Sequence, residues 1–166
     1  MDNDGWLDIV SSGYGPGEGN LRIYWNNGDG TFSENQQYLY GSNDSSCSLC
    51  DLDADGYMDI VVTGFSSNKG SGAKSFYIYR NCGGRNFEML NDLFCGFEGV
   101  DGATPSFGDV NHDGLPDILI GGHGEKHEIT TWLYMNRGDF SFKACGAYYD
   151  ADQEWTFDRS VTATII

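Results

Sequence analysis

Three short acidic loops of one pattern constrain this chain more than any other feature of its sequence. The clearest of them, loop two, covers residues 51–59 and reads DLDADGYMD, with carboxylates at positions 1, 3, 5 and 9 and glycine at position 6. Carboxylates this close repel one another unless a cation lies among them, and hard oxygen ligands at alternating positions suit Ca²⁺. Glycine permits the sharp turn, because it adopts positive φ without steric cost. The loop therefore predicts a calcium site.

The same pattern occurs twice more. Loop three, residues 109–117, reads DVNHDGLPD and has asparagine at position 3, and loop one, residues 2–8, reads DNDGWLD and lacks position 1. None of the three is an EF-hand, whose twelve-residue loop ends in a glutamate and lies between helices. Each loop leads instead into an apolar segment such as residues 60–62 (IVV), so we expect each loop to join two β-strands.

The three loops account for much of the formal net charge of −16, so this charge is not by itself a sign of a basic partner. They hold three, four and three of the 25 acidic residues, so bound Ca²⁺ would cancel part of the charge. The remaining acidity argues against nucleic acid and anionic membranes as partners. No apolar run approaches the ~20 residues of a membrane helix. We therefore expect no nucleic-acid binding and no membrane insertion.

A second pattern recurs at a step of 55 residues. Hairpin turns begin at Asn26, Asn81 and Asn136, and each asparagine is followed six residues later by phenylalanine. Four short strands in a repeat of about 55 residues are typical of a β-propeller blade. The expected strands are residues 47–50 and 105–108 (first), 58–63 and 117–121 (second), 21–25, 76–80 and 131–135 (third), and segments beginning near Phe32, Phe87 and Phe142 (fourth).

The predicted fold class is all-β: a β-propeller segment of three four-stranded blades with calcium-binding DxDxDGxxD loops. We expect one segment, with blade one at about residues 1–41 plus a strand at 161–166, blade two at about 45–98 and blade three at about 103–150. Both ends of the chain fall at the same phase of the repeat, and propellers usually need 4–8 blades to close. The remaining blades of a larger propeller, of about seven blades, or a second copy of the chain would complete the ring.

The DxDxDGxxD loops and the N-x-G-x-x-x-F turns resemble those of the integrin-type FG-GAP/VCBS repeat family, over nearly the whole chain. The resemblance implies that Ca²⁺ is bound by side chains at positions 1, 3, 5 and 9 and by the backbone carbonyl at position 7. It implies two complete sites and one truncated site. The implied ligands are Asp51, Asp53, Asp55, Tyr57 (carbonyl) and Asp59; Asp109, Asn111, Asp113, Leu115 (carbonyl) and Asp117; and, in the truncated loop one, Asp2, Asp4, Trp6 (carbonyl) and Asp8.

The resemblance also implies a function. The expectation is a calcium-stabilised extracellular module that binds a protein or glycan ligand, as in adhesion. The chain opens MDNDGWLDIV, without the basic and apolar regions of a signal peptide, so the signal of a secreted parent would lie upstream. No catalytic motif is present, so we expect no enzyme activity. The alternative is a non-catalytic scaffold of a secreted carbohydrate-active enzyme such as a polysaccharide lyase, or a lectin whose tryptophans stack on sugars.

The five cysteines offer a CxxC segment, Cys47 to Cys50, that has a plainer interpretation than zinc or redox chemistry. On a strand, side chains at this spacing point to opposite faces. We therefore expect these two cysteines to be packing residues.

Overall fold

Strands make up all the regular secondary structure in the part of the chain that the computed structural model describes. Within that part, no helix is long and apolar enough to cross a membrane. The described residues are 1–13, 20–66, 73–90, 100–124, 129–150, 153–156 and 160–163. The strands are β1 (Ile9–Gly13), β2 (Asn20–Asn26), β3 (Phe32–Glu34), β4 (Leu39–Tyr40), β5 (Asn43–Cys50), β6 (Asp59–Ser66), β7 (Ala73–Asn81), β8 (Phe87–Met89), β9 (Ser106–Gly108), β10 (Asp117–His123), β11 (Ile129–Asn136), β12 (Phe142–Asp150), β13 (Gln153–Thr156) and β14 (Ser160–Ala163).

The strands form three antiparallel sheets that follow one another along the chain. The first has the order β1-β2-β3, with β4 also pairing with β2, and the second has the order β5-β6-β7-β8. The third has the order β9-β10-β11-β12, with β13 and β14 both pairing with β12. Successive small antiparallel sheets of this kind are propeller-like blades. One isoleucine–tyrosine pair takes the same place in each sheet: Ile9↔Tyr24, Ile60↔Tyr79 and Ile118↔Tyr134.

The structure confirms the predicted strands, although some of their ends differ. β5 begins at Asn43 rather than at residue 47, and its register with β6 shifts between Asn43 and Ser46. This irregular step lets β5 continue beside β6, which runs on to Ser66 instead of ending at residue 63. Local patterns predicted the centres of the strands, and pairing with the neighbouring strand extends their ends.

The C-terminal strand does not pair with the first sheet of its own chain in this structure. The sequence places residues 161–166 beside blade one, whereas Ser160–Ala163 pairs with β12, at the outer edge of the third sheet. Residues 164–166 lie outside the described part of the chain. The placement of this segment in blade one stays a prediction.

The second sheet lies between the other two and is buried on both faces. Consecutive residues of a strand point to opposite faces, yet Ile60, Val61 and Val62 of β6 are all 0% exposed. A strand covered on both faces has an unbroken apolar run, and β6 has one. Full burial of each of these side chains contributes about 1.5–3 kcal/mol to stability.

Two apolar clusters fill the junctions between the sheets. We call the contact between the first and second sheets the first junction, and that between the second and third sheets the second junction. The first junction contains Leu21, Ile23, Trp25, Leu39, Ile60, Val62, Tyr77, Tyr79 and Phe87. The second junction contains Leu52, Val61, Phe76, Ile78, Leu90, Val100, Ala103, Ile118, Ile120, Trp132, Tyr134, Phe140, Phe142 and Ala144.

The two cysteines of the CxxC segment lie on opposite faces of β5. Cys47 packs against the first junction and Cys50 against the second, and both thiols are free. Burial, aided by neighbouring carboxylates, raises the pKa of Cys50 to about 11. The thiol therefore stays protonated at neutral pH, as befits a packing residue rather than a redox or metal-binding one.

A buried asparagine at the start of a hairpin turn ties successive sheets together. The side chain of Asn81 in the second sheet donates hydrogen bonds to the carbonyl of Met1, at 3.0 Å, and to that of Met58, at 3.1 Å. Asn136 in the third sheet makes the matching bond to the carbonyl of Leu52, at 2.8 Å. Both asparagines are 1% exposed. Because an unpaired buried polar group is costly, these bonds help to fix how each sheet sits on the one before it.

The asparagines give the first testable prediction. Asn81→Ala and Asn136→Ala each leave several buried or partly buried partners unpaired, so we expect each to lower the free energy of unfolding by about 2–4 kcal/mol. Asn26→Ala is the matched control, because the Asn26 side chain donates to the carbonyl of Leu7 in its own sheet and should cost only about 1 kcal/mol. Urea denaturation measures all three variants. Equal losses of unfolding free energy in all three variants would show that the hydrogen bonds between sheets contribute nothing to stability.

Candidate metal centre

Backbone N–H groups of loop two bind the carboxylates of the same loop and hold its turn. Asp51 accepts hydrogen bonds from the N–H of Asp55, at 3.0 Å, and from that of Gly56, at 2.9 Å. Asp55 in turn accepts one from the N–H of Tyr57, at 2.9 Å. Left-handed backbone at Ala54 (φ 59°) and Gly56 (φ 90°) brings these groups together. A carboxylate has about four lone-pair sites, so each retains capacity for a cation.

Three carboxylates of loop two converge. Asp51, Asp53 and Asp59 each offer one oxygen, and these oxygens lie within 4.8 Å of one another. Ligands on opposite sides of Ca²⁺ are about 5 Å apart, since each Ca–O distance is about 2.3–2.6 Å. The cluster can therefore hold a metal ion, and its oxygen-only chemistry fits calcium. Ligation by Asp55 and by the carbonyl of Tyr57 stays a prediction.

Loop three has the same internal bonds. The N–H groups of Asp113 and Gly114 donate to Asp109, at 3.1 and 2.9 Å, and that of Leu115 donates to Asp113, at 2.9 Å. The amide nitrogen of Asn111, at position 3, donates to Asp113 at 2.9 Å. Within the described ranges, only loop two brings three acidic ligand atoms within 4.8 Å. The ligand set of loop three stays a prediction.

Loop one keeps the later part of the pattern. The N–H of Asp4 donates to Asp2 at 3.2 Å, and that of Trp6 donates to Asp4 at 2.8 Å. The amino group of Met1, at position 2, donates to Asp8 at 3.0 Å. Loop one has three carboxylates where loop two has four, and its truncated calcium site stays a prediction.

The aspartate at position 9, a predicted ligand, has a structural role that sequence reasoning missed. Asp59 is 0% exposed, and its two oxygens accept hydrogen bonds from the N–H of Leu52, at 2.8 Å, and from that of Asn81, at 2.9 Å. Asp117 of loop three accepts the equivalent pair, at 2.9 and 2.8 Å. The buried carboxylate thus joins the start of its loop to the next hairpin. The pattern of the loop gives no signal for this bond, because one partner lies outside the loop.

The position-7 side chain covers a glycine of the hairpin turn. A Cβ at Gly28 would lie 2.8 Å from the ring of Trp6, and a Cβ at Gly83 would lie 3.2 Å from the ring of Tyr57. Both glycines have positive φ, at 77° and 73°, a conformation that other residues adopt at a cost. These contacts hold position 7, whose carbonyl is a predicted ligand, against its own sheet.

Burial of loop two changes how its carboxylates ionise. Burial raises the pKa of Asp59 to about 7, against the effect of its two backbone hydrogen bonds, and the charges of Asp53 and Asp55 add to the rise. Burial, followed by the charge of Asp55, also raises the pKa of Asp53. Full ionisation of the cluster is therefore unfavourable unless positive charge is nearby.

Two arginines, which sequence reasoning also missed, supply positive charge to the loops. The guanidinium of Arg80 lies 2.8 Å from a carboxylate oxygen of Asp53. Arg85, from the second sheet, donates to Asp2 of loop one at 2.8 Å. Although burial raises the pKa of Asp2, the bonds from Arg85 and from the N–H of Asp4 hold it below its ordinary value. Both loops thus have a resident cation.

Comparison with known proteins identifies the repeat. A family model described as FG-GAP-like repeat matches residues 1–62 and again residues 51–120, more than half of the chain in total. The two matches together contain all three acidic loops. No curated protein and no solved structure matches the chain.

The raised pKa of Asp59 gives a prediction for the metal-free protein. Its folded-state pKa of about 7 lies above the unfolded value of about 4, so folding favours the protonated form. This contribution is present below pH 4 and is lost as the pH rises through 7. We expect the melting temperature of metal-free protein to fall between pH 5 and 7.5, as followed by circular dichroism. Asp59→Asn should flatten the fall and Asp44→Asn, at an exposed site outside the loops, should not; equal slopes would contradict the assignment.

Proposed function

This chain belongs to the FG-GAP-like repeat family, and we propose that it is a calcium-stabilised β-propeller module that acts outside the cell and binds a ligand. The observation that carries the proposal is the convergence of oxygens from Asp51, Asp53 and Asp59 to within 4.8 Å. Two further features support it: the chain contains three loops of one pattern, and burial raises the pKa of Asp59. Repeats of this family are typical of extracellular proteins, where calcium is abundant.

Calcium's part in the proposal is structural. A bound ion would supply two positive charges and accept oxygen ligands from the loop. Asp51, Asp53, Asp55 and Asp59, with the carbonyl of Tyr57, would hold it in loop two. The residues at the same positions would hold a second ion in loop three. The chain's own contribution is to bring these oxygens together by the N–H bonds described above. Those bonds also join each loop to the following hairpin, so filling a loop would stabilise the sheet and its junction.

Apolar faces at both ends of the three-sheet stack suggest what packs there. On the first sheet, Ile9 is 46% exposed and Phe32 44%, whereas Phe87, the counterpart of Phe32 in the second sheet, is 2% exposed. On the third sheet, Leu119 is 46% exposed and its counterpart Val61 is 0% exposed. We propose that a further blade of the same repeat covers each face, because an equivalent blade already covers the buried counterparts. Light scattering of calcium-loaded protein distinguishes a second copy from blades of a longer parent chain.

The ligand is proposed to be a protein, bound as in adhesion. No catalysis is proposed, because the sequence contains no catalytic motif and ten of its 25 acidic residues lie in the loops. The lectin or carbohydrate-enzyme scaffold is the second candidate. Its stacking residues would have to be exposed, yet Trp25 is 3% exposed and Trp132 5%, both within junctions. Trp6 is 55% exposed and is the aromatic residue best placed for a sugar among these three.

The calcium proposal predicts a large ligand-dependent change in stability. A loop that binds only in the folded state adds about 3 kcal/mol when free Ca²⁺ exceeds its Kd about 100-fold. We therefore expect the melting temperature to rise from EDTA to millimolar Ca²⁺. Asp55→Ala and Asp113→Ala should each remove part of that rise, whereas Asp44→Ala, at an exposed site outside the loops, should keep all of it. A full rise in both loop variants would rule out the proposed sites.

The choice between protein and glycan ligands has its own test. We expect calcium-loaded protein to bind no glycan on an array, because two of its tryptophans are buried. A glycan signal that Trp6→Ala abolishes, while the melting temperature stays unchanged, would support the lectin candidate instead.

A further inference from the structure

At both junctions an arginine lies between an aromatic ring and the carboxylates of an acidic loop. At the first junction, Arg85 in the hairpin between β7 and β8 lies over Trp25 of the first sheet, with Cζ 5.1 Å from the ring centroid. The same guanidinium donates to Asp2 at 2.8 Å and comes within 3.9 Å of Asp4. It therefore contacts loop one and the junction core at once.

The second junction has a similar arrangement, but here the acidic loop belongs to the same sheet as the arginine. Arg80 of β7 lies under the ring of Phe140 from the third sheet, with Cζ 5.5 Å from the centroid. Its Nη2 is 2.8 Å from Asp53 and 3.6 Å from Asp55, both in loop two. The arginine lies in the β7–β8 hairpin at the first junction and in strand β7 at the second. At each junction the aromatic ring belongs to the sheet that packs against the second sheet.

Among the residues that the structure describes, no such arginine lies at loop three. At the step of 55 residues, Met135 occupies the place of Arg80. Within the described residues, no lysine or arginine forms an ion pair with loop three. Loop two carries four carboxylates against one guanidinium, and loop three carries three carboxylates with Asn111 at position 3. Counted as formal charges with every carboxylate ionised, loop two together with Arg80 therefore carries −3, and loop three also carries −3.

Two features of Arg80 favour displacement of its guanidinium by a bound cation. Its side chain is 39% exposed, which leaves it a path to solvent. Its Nε is buried and has no hydrogen-bond partner among the described residues, so its present position leaves one donor unpaired. A divalent cation that drew the oxygens of Asp53 and Asp55 would compete directly with this guanidinium, because the two cations repel and share the same ligands.

We propose that Arg80 is a tethered cation that sets the calcium affinity of loop two. It lowers the affinity of the loop with four carboxylates to that of the loop with three, so that loops two and three fill over the same range of calcium concentration. Arg85 takes the same place at loop one. The inference rests on the proposed calcium function.

Calorimetric titration of the whole chain with CaCl₂ tests this inference. We expect two sites of similar Kd in the unsubstituted protein, assigned by their loss in Asp55→Ala and Asp113→Ala. Arg80→Met, which installs the residue found at the equivalent position of the third sheet, should tighten the loop-two site by about three- to tenfold and leave loop three unchanged. Met135→Arg should weaken loop three by a similar factor.

Two controls separate charge near the loop from other effects. Arg80→Lys keeps the cation and should preserve both Kd values. Arg22→Met removes an arginine that pairs with Glu34 on the first sheet, changes the net charge equally, and should also preserve both. Calcium binding that Arg80→Met leaves unchanged or weakens would overturn the role of Arg80 alone. An absence of binding in every protein, all folded by circular dichroism, would overturn the calcium function itself.

Discussion

Mutual repulsion of the loop carboxylates is the constraint on which the rest of this structure depends. Ten acidic residues lie in three short loops, and Asp59 and Asp117 are buried at the start of their strands. Burial removes the water that would otherwise solvate these charges, so each loop needs positive partners of its own. Backbone N–H groups and, in loops one and two, arginines supply part of that charge. The N–H groups come from the next hairpin as well as from the loop, which couples loop charge to sheet packing.

The coupling extends through all three sheets as one chain of hydrogen bonds. Each position-9 aspartate binds the N–H of a hairpin asparagine, and the asparagines of the second and third sheets reach back to the position-2 carbonyl of the previous loop. The residue at position 2 donates its own nitrogen to the aspartate of that loop. Calcium bound in one loop would therefore stabilise groups that also define the neighbouring junction. The chain runs Asp117, Asn136, Leu52, Asp59, Asn81, Met1 and Asp8.

Sequence alone predicts the parts of this fold that depend on local patterns. The Asp-Gly loops and the apolar run of β6 each lie within a few residues, so the strands and candidate ligands could be predicted. The bonds between repeats could not. Asp59 and Asn81 are 22 residues apart and Asp117 and Asn136 only 19, so no fixed spacing marks them. The arginine lies in a hairpin at the first junction and in a strand at the second, so no position of the repeat carries arginine at both junctions. These contacts depend on how the sheets pack against one another, which local sequence patterns do not reveal.

The most direct test of the account is a count of bound calcium. Equilibrium dialysis of the folded chain against millimolar Ca²⁺, followed by elemental analysis of the protein, gives the number of ions per chain. The account predicts one ion in each of the two complete loops, two and three, and a loss of both of these ions in the double variant Asp55→Ala, Asp113→Ala. A folded chain that binds no calcium, or a double variant that still binds two ions, would contradict it.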